Sequence, residues 1–203
     1  MRVLLVHGLG RTPLSMMFLA RSLSQAGHRP EFFAYFPYVE THDRILRRLV
    51  RRLRTVSELG EEVGLVGHSF GGLLLREVIA ALPDLKVRNL VMLGTPNQPP
   101  RLAARFYPYL PFRILRGTCG RNLTDPLYFR RLPKLRSPYT IVAGTAGWRG
   151  RLSPFRMEPN DGVVAVSETL VEDKDRPVLL PVMHTFLTIN KMVRQVVIER
   201  LQG

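Results

Sequence analysis

Val63-Gly64-Leu65-Val66-Gly67-His68-Ser69-Phe70-Gly71-Gly72 passes from a short apolar run, through a serine flanked by glycines, into a helical pattern that stops before Pro83. A Gly-x-Ser-x-Gly between a strand and a helix is a nucleophile elbow. The serine sits on a strained turn, and side chains at Gly67 and Gly71 would collide with neighbouring backbone. The turn lifts the Ser69 hydroxyl above the sheet edge. It also aims it at the amides and positive dipole end of the helix opening at Phe70.

Outward from this turn, strand and helix patterns alternate to both ends of the chain. Residues 2–7 read as a buried strand, Thr12 and Pro13 as the start of a helix to Ala26, and Glu31–Phe36 as a second strand. A helix follows from His42 to about Leu59, then the strand Val63–Val66 and the helix Phe70–Leu82. Later strands are expected at Val87–Leu93, Tyr139–Ala143 and Pro177–Val182, with a last helix from His184 to Leu201. Such alternation predicts one α/β domain over 1–203, a mostly parallel central sheet with helices on both faces.

The segment from 97 to 137 breaks this rhythm with many prolines and the aromatics Phe106, Tyr107, Tyr109 and Phe112. A connection so long inside a compact domain is usually functional or inserted. It is expected to form a short cap over the strand ends; the other reading buries its aromatics in the core.

A serine hydroxyl is a weak nucleophile at neutral pH and needs a base. Of the five histidines, His7 and His68 lie inside glycine motifs, while His28 and His42 read as surface residues beside helix ends. His184, after the last strand, completes the order Ser…Asp…His. Its carboxylate partner is expected to be Asp161, presented by the turn Asn160-Asp161-Gly162, with Glu158 in reserve. Val6-His7-Gly8-Leu9-Gly10 closes the first strand with two glycines, so that the amides of Leu9 and Phe70 form the candidate oxyanion hole.

These motifs, together with Leu93-Gly94-Thr95-Pro96-Asn97 and Asn160-Asp161-Gly162-Val163, resemble the bacterial lipase and esterase branch of the α/β-hydrolase superfamily. The resemblance implies a minimal sheet that starts at the family's third strand. It also supports Asp161 as the acid. Asn97 stands where the branch usually has histidine. The expected activity is carboxylic ester hydrolysis by Ser69, His184 and Asp161 through an acyl-enzyme, with no metal or organic cofactor. A thioesterase, amidase or acyltransferase could use the same residues, and a lipid-binding module could retain the elbow as a relic.

Composition narrows the remaining classes. Thirty basic residues against sixteen acidic ones leave a net charge of +14, and only Lys86, Lys134, Lys174 and Lys191 are lysines. Arg44, Arg47, Arg48, Arg51, Arg52 and Arg54 alternate with apolar residues at helical spacing, as on a surface helix with a solvated basic face. Weak contact with an anionic membrane is the sharper alternative. No stacking aromatics interleave with these arginines, so nucleic acid is not expected. The lone Cys119 reads as an ordinary loop thiol. Val3–Val6 is too short for a secretory signal core, which makes a cytoplasmic location the expectation.

Overall fold

The computed structural model describes residues 1–106 and 117–202. Six parallel strands form one sheet in the order β2-β1-β3-β4-β5-β6. They span Arg2–Val6 (β1), Arg29–Phe33 (β2), Val63–His68 (β3), Val87–Leu93 (β4), Tyr139–Gly144 (β5) and Val178–Leu180 (β6). The helices are Met17–Gln25 (α1), His42–Glu58 (α2), Phe70–Ala81 (α3), Arg101–Phe106 (α4), Gly117–Asn122 (α5), Pro126–Arg131 (α6) and Lys191–Gln202 (α7).

Both sheet faces are covered, and alternation within the strands assigns their side chains. Leu4, Val6 and Leu65 face a core shared with α2 and α3, while Val3, Leu5 and Val66 face one shared with α1 and α7. On α2, Ile45, Leu49, Leu53 and Val56 recur along one side and are buried. Each such side chain contributes roughly 1.5–3 kcal/mol relative to exposure. Thr41 caps this helix by accepting from the Arg44 amide at 3.3 Å.

Several boundaries differ from the sequence expectation. β2 starts at Arg29 and ends at Phe33 because it pairs residue for residue with β1, which ends at Val6. Tyr35 then turns inward and donates from its hydroxyl to the His7 carbonyl at 2.9 Å. β3 runs on to His68 because Gly67 and His68 still pair with Met92 and Leu93. The first helix opens with a 3-10 turn at Pro13–Met16, and Thr12 makes no side-chain cap. The last expected helix is divided: a 3-10 turn at His184–Phe186 precedes α7, which Asn190 caps by accepting from the Met192 amide at 2.9 Å.

Within the expected cap, Leu123 on the loop after α5 and Phe129 on α6 enter the core shared with α3. Cys119 is a fully buried helical residue in α5 rather than a loop thiol, and burial pushes its pKa up to about 12. Tyr107, Tyr109 and Phe112 lie outside the described residues.

The strand order steps outward from β1 to β2 on one side and from β3 to β6 on the other. The chain therefore reverses direction across the sheet between β1 and β3. A crevice forms at such a switch point, beyond the carboxyl ends of the strands. Gly8 and Ser69 follow those two ends.

Candidate active site

Ser69 adopts φ 52° and ψ −124°, a conformation that L residues rarely hold. The turn is permitted by what the neighbouring glycines lack. A Cβ on Gly67 would stand 2.4 Å from the Gly72 backbone, and one on Gly71 would stand 2.3 Å from the Val6 carbonyl oxygen. Gly8 admits the β1 loop beside the serine, because its Cβ would lie 2.8 Å from His68 Nδ1 and 3.1 Å from Ser69 Cβ. These clearances bring the ends of β1 and β3 together at the mouth of the crevice.

His184 Nδ1 donates to Asp161 Oδ2 at 2.6 Å, and both residues are buried. The other carboxylate oxygen, Oδ1, accepts from the amides of Val163 at 2.9 Å and Val164 at 2.7 Å. The backbone is tied as well, with the His184 amide donating to the Asp161 carbonyl at 2.8 Å. In a neutral imidazole, a proton on Nδ1 leaves Nε2 with a free lone pair. Glu158 is not brought to this histidine. It pairs with Arg101 at 2.5 Å and accepts from the Ser167 amide at 3.2 Å.

Ser69 and His184 line one pocket of about 460 Å³, together with Leu9, His68, Leu102 and Val163 among others. Its wall is largely apolar, with Pro96, Pro100, Ala103 and Leu123 in it beside the charged Arg11. Leu9 thus stands at the pocket, and Phe70 opens α3, where a helix leaves its first amides without internal acceptors. A larger groove, about 720 Å³, lies between β2 and α2 and is lined by Arg2, Glu31, Arg48 and Arg52; it contains none of the candidate residues.

Several residues support the site through contacts that their sequence motifs did not indicate. His68 Nε2 donates to the His184 carbonyl at 3.1 Å. Burial, with the neighbouring His184, holds His68 well below the usual histidine range, so it stays neutral. His7 stacks flat on Tyr35 with ring centroids 4.3 Å apart, and burial lowers its pKa too. Asn97 holds the buried Arg76 through its side-chain carbonyl at 2.8 Å, and its amide nitrogen donates to the Thr169 carbonyl at 2.6 Å. An arginine inside the apolar run Leu73–Ile79 was the available hint.

His42 is not the surface residue its sequence position suggested. It is buried at the start of α2, with Nε2 3.0 Å from Glu77 and its ring edge-on to Phe70 and Tyr128. Burial would lower its pKa, but the hydrogen bond and charge of Glu77 outweigh this and raise it. His28 is half-buried. Among the described residues, no cluster of three or more histidine, cysteine or acidic side chains could hold a metal ion. No described helix is long and apolar enough to cross a membrane.

The model of the alpha/beta hydrolase family matches residues 3–199 of the chain. No curated protein matches the sequence. Among solved structures, the lipase BlEst2 of Bacillus licheniformis in its mature form superposes with a TM-score of 0.78 at 19% identity, covering 98% of this chain and 91% of that one. A thermophilic esterase from Thermogutta terrifontis gives 0.63 at 16% identity, covering 100% and 89%. Phospholipase PlaB from Legionella pneumophila gives 0.63 at 18% identity over 84% of this chain and 46% of that one. At these identities the superpositions speak for the fold.

Proposed function

The chain belongs to the alpha/beta hydrolase family, and from that premise we propose that it is a serine hydrolase cleaving carboxylic esters. The observation that carries this reading is the buried His184–Asp161 pair, 2.6 Å between Nδ1 and Oδ2, whose histidine lines the same pocket as Ser69. Asp161 sets the tautomer, so that Nε2 of His184 is the basic nitrogen. Ser69 Oγ attacks the acyl carbon, and its proton passes to that nitrogen. The amides of Leu9 and Phe70 hold the oxyanion. When the carbon–oxygen bond breaks, the leaving alcohol takes the proton back from His184. Water then enters by the same route in reverse, is deprotonated by His184, and frees the acid from Ser69.

The pocket also speaks for the substrate class. Leu9, Pro100, Leu102, Ala103 and Leu123 offer an apolar wall to an acyl chain, and the segment 97–137 contributes most of it, as a cap would. A small-molecule or lipid ester is the substrate class this wall suits. The likeness to a lipase and an esterase favours esters over amides and thioesters. A non-catalytic module is disfavoured, since a relic has no need of a buried carboxylate held by one imidazole and two amides.

Labelling with a fluorophosphonate probe tests the activated serine. Wild type should be labelled at Ser69 and lose activity in parallel against a panel of acyl esters, thioesters and amides. An unlabelled, folded protein would remove the serine-hydrolase reading. Labelling with turnover of thioesters or amides alone would move it to that class.

A further inference from the structure

Between Gly144, which ends β5, and Asp161, the chain forms a loop that is firmly built yet turns large apolar side chains to solvent. Gly147 N donates to the Asn160 carbonyl at 2.7 Å, and Gly150 N donates to the Arg156 carbonyl at 2.8 Å. The Ser153 hydroxyl and Asn160 Nδ2 both donate to the Trp148 carbonyl, at 2.9 and 3.2 Å. Phe155 is buried beneath the Arg101 guanidinium, 5.6 Å from its ring centroid. On the outside, Trp148 is 61% exposed, Leu152 80% and Met157 73%.

Three large apolar side chains so exposed on one ordered loop oppose the hydrophobic effect unless something covers them. The charges around them say what. Arg149, Arg151 and Arg156 alternate with the apolar tips and are exposed, and residues 145–157 contain no acid. The first acid beyond, Glu158, is taken up by Arg101.

We propose that this loop docks on an anionic lipid surface, with Trp148, Leu152 and Met157 entering the interface while Arg149, Arg151 and Arg156 meet the lipid phosphates. Side chains standing this far clear of the protein line no recess for a rigid partner. The headgroup region accepts apolar tips and guanidinium groups at the same depth. The base of the loop adjoins the pocket rim, since a Cβ on Gly147 would stand 2.3 Å from the Gly162 backbone nitrogen. Met183, 46% exposed, lies 3.6 Å from where a Gly162 Cβ would stand, and Val163, 39% exposed, lines the pocket itself. Docking through the loop therefore brings the pocket rim near the lipid. This attachment does not depend on Ser69 being reactive.

The arginine helix α2 is the weaker membrane candidate. Arg48 is paired with Glu40 and Arg52 with Glu31, and its stripe Ile45, Leu49 and Leu53 is turned into the core. It offers charge without side chains to insert.

Trp148 is the only tryptophan in the sequence, so the unmodified chain carries its own reporter. Vesicles of phosphatidylcholine containing phosphatidylglycerol should shift its emission to the blue. Nitroxide-labelled lipid should quench it, and added salt should reverse the response. Vesicles of phosphatidylcholine alone should have much less effect. By co-sedimentation, Arg149→Gln/Arg151→Gln/Arg156→Gln should bind on the order of a hundredfold more weakly, whereas Arg44→Gln/Arg47→Gln/Arg51→Gln/Arg54→Gln should lose less. An unmoved Trp148 emission with anionic vesicles overturns the proposal, even if an acidic protein shifts it. So does equal binding to neutral vesicles, or a greater loss from the α2 substitutions than from the loop substitutions in folded variants.

Discussion

Asp161 divides its carboxylate between two tasks: Oδ2 accepts from His184 Nδ1 at 2.6 Å, while Oδ1 accepts from the Val163 and Val164 amides at 2.9 and 2.7 Å. Both oxygens of a buried anion are therefore satisfied, which is what keeps such a group from being a liability. Glu158, three residues earlier, spends its charge on Arg101. Asp161→Asn should lower ester turnover by about 10⁴-fold, through the wrong imidazole tautomer and a lost counter-charge. Glu158→Gln should stay within several-fold of wild type. Steady-state rates on one ester decide it, and an inactive Glu158 variant beside an active Asp161 variant would falsify the assignment.

Ser69 carries both the proposed chemistry and the backbone strain of its φ of 52°. Ser69→Ala should keep the fold and lose turnover by about 10⁴- to 10⁶-fold. Ser69→Gly should lose it equally, yet melt higher, because relieving such a conformation is worth on the order of 1 kcal/mol or more. A glycine variant melting below the alanine variant would contradict the strain.

Gly71 tests the packing of α3 on β1. A Cβ there would meet the carbonyl oxygens of Val6 and His7 at 2.3 and 2.6 Å, and backbone cannot yield as a side chain can. Gly71→Ala should destabilise by roughly 1–3 kcal/mol or more, despite alanine's better helix propensity. Gly27→Ala makes a useful comparison, since nothing lies within 4 Å of its Cβ position and only its φ of +82° opposes the change. Chemical denaturation should rank Gly71→Ala as the more harmful.

Arg76 is buried and bonded to neutral oxygens, those of Asn97 at 2.8 Å and Pro133 at 2.9 Å. Asn97→Ala should cost about 2–3 kcal/mol in denaturant unfolding, as expected when a buried charge loses a hydrogen-bond acceptor. Asn97→Asp keeps the acceptor and adds a counter-charge to Arg76, but it sets an oxygen against the Thr169 carbonyl, so its loss should be smaller than that of Asn97→Ala without being nil. Equal losses in the two variants would show that the acceptor is not what matters.

Stability should pass through a maximum near neutral pH, with two histidine environments acting on opposite sides. His68 and His7 have pKa values lowered in the fold, so below about 6.5 the unfolded chain binds more protons and stability falls with acid. His42 has a raised pKa; its contribution is full below 6.5 and is lost as pH rises through the folded value. In His42→Gln, the decline in melting temperature above pH 6.5 should flatten while the acid-side decline remains. An unchanged alkaline slope would remove His42 from that role.

The fold class and the candidate residues Ser69, Asp161 and His184 were legible because each depends on a local signal: apolar runs of strand or helix period, a serine between glycines, an Asn-Asp-Gly turn, a histidine after the last strand. Glycine at 67, 71 and 8 could be read as clearance before anything was known of the neighbours. Other features depend on partners far along the chain, which no local pattern encodes. β2 ends at Phe33 because β1 runs out at Val6, 27 residues earlier in sequence. His42 looked like a surface histidine at a helix start until Glu77 and Tyr128 were folded against it. Asn97 gains its purpose only when Arg76 and Thr169 converge on it. Asp161 is set apart from Glu158 locally, by the Asn160-Asp161-Gly162 turn, while their different partners come from the packed fold: Arg101 reaches Glu158 and His184 reaches Asp161. Sequence period sets which residues go inside, because burial is a local matter of face and spacing. Hydrogen bonding between buried polar groups requires their atoms to lie within about 3 Å, and only the packed strands and loops can bring residues so distant in sequence that close.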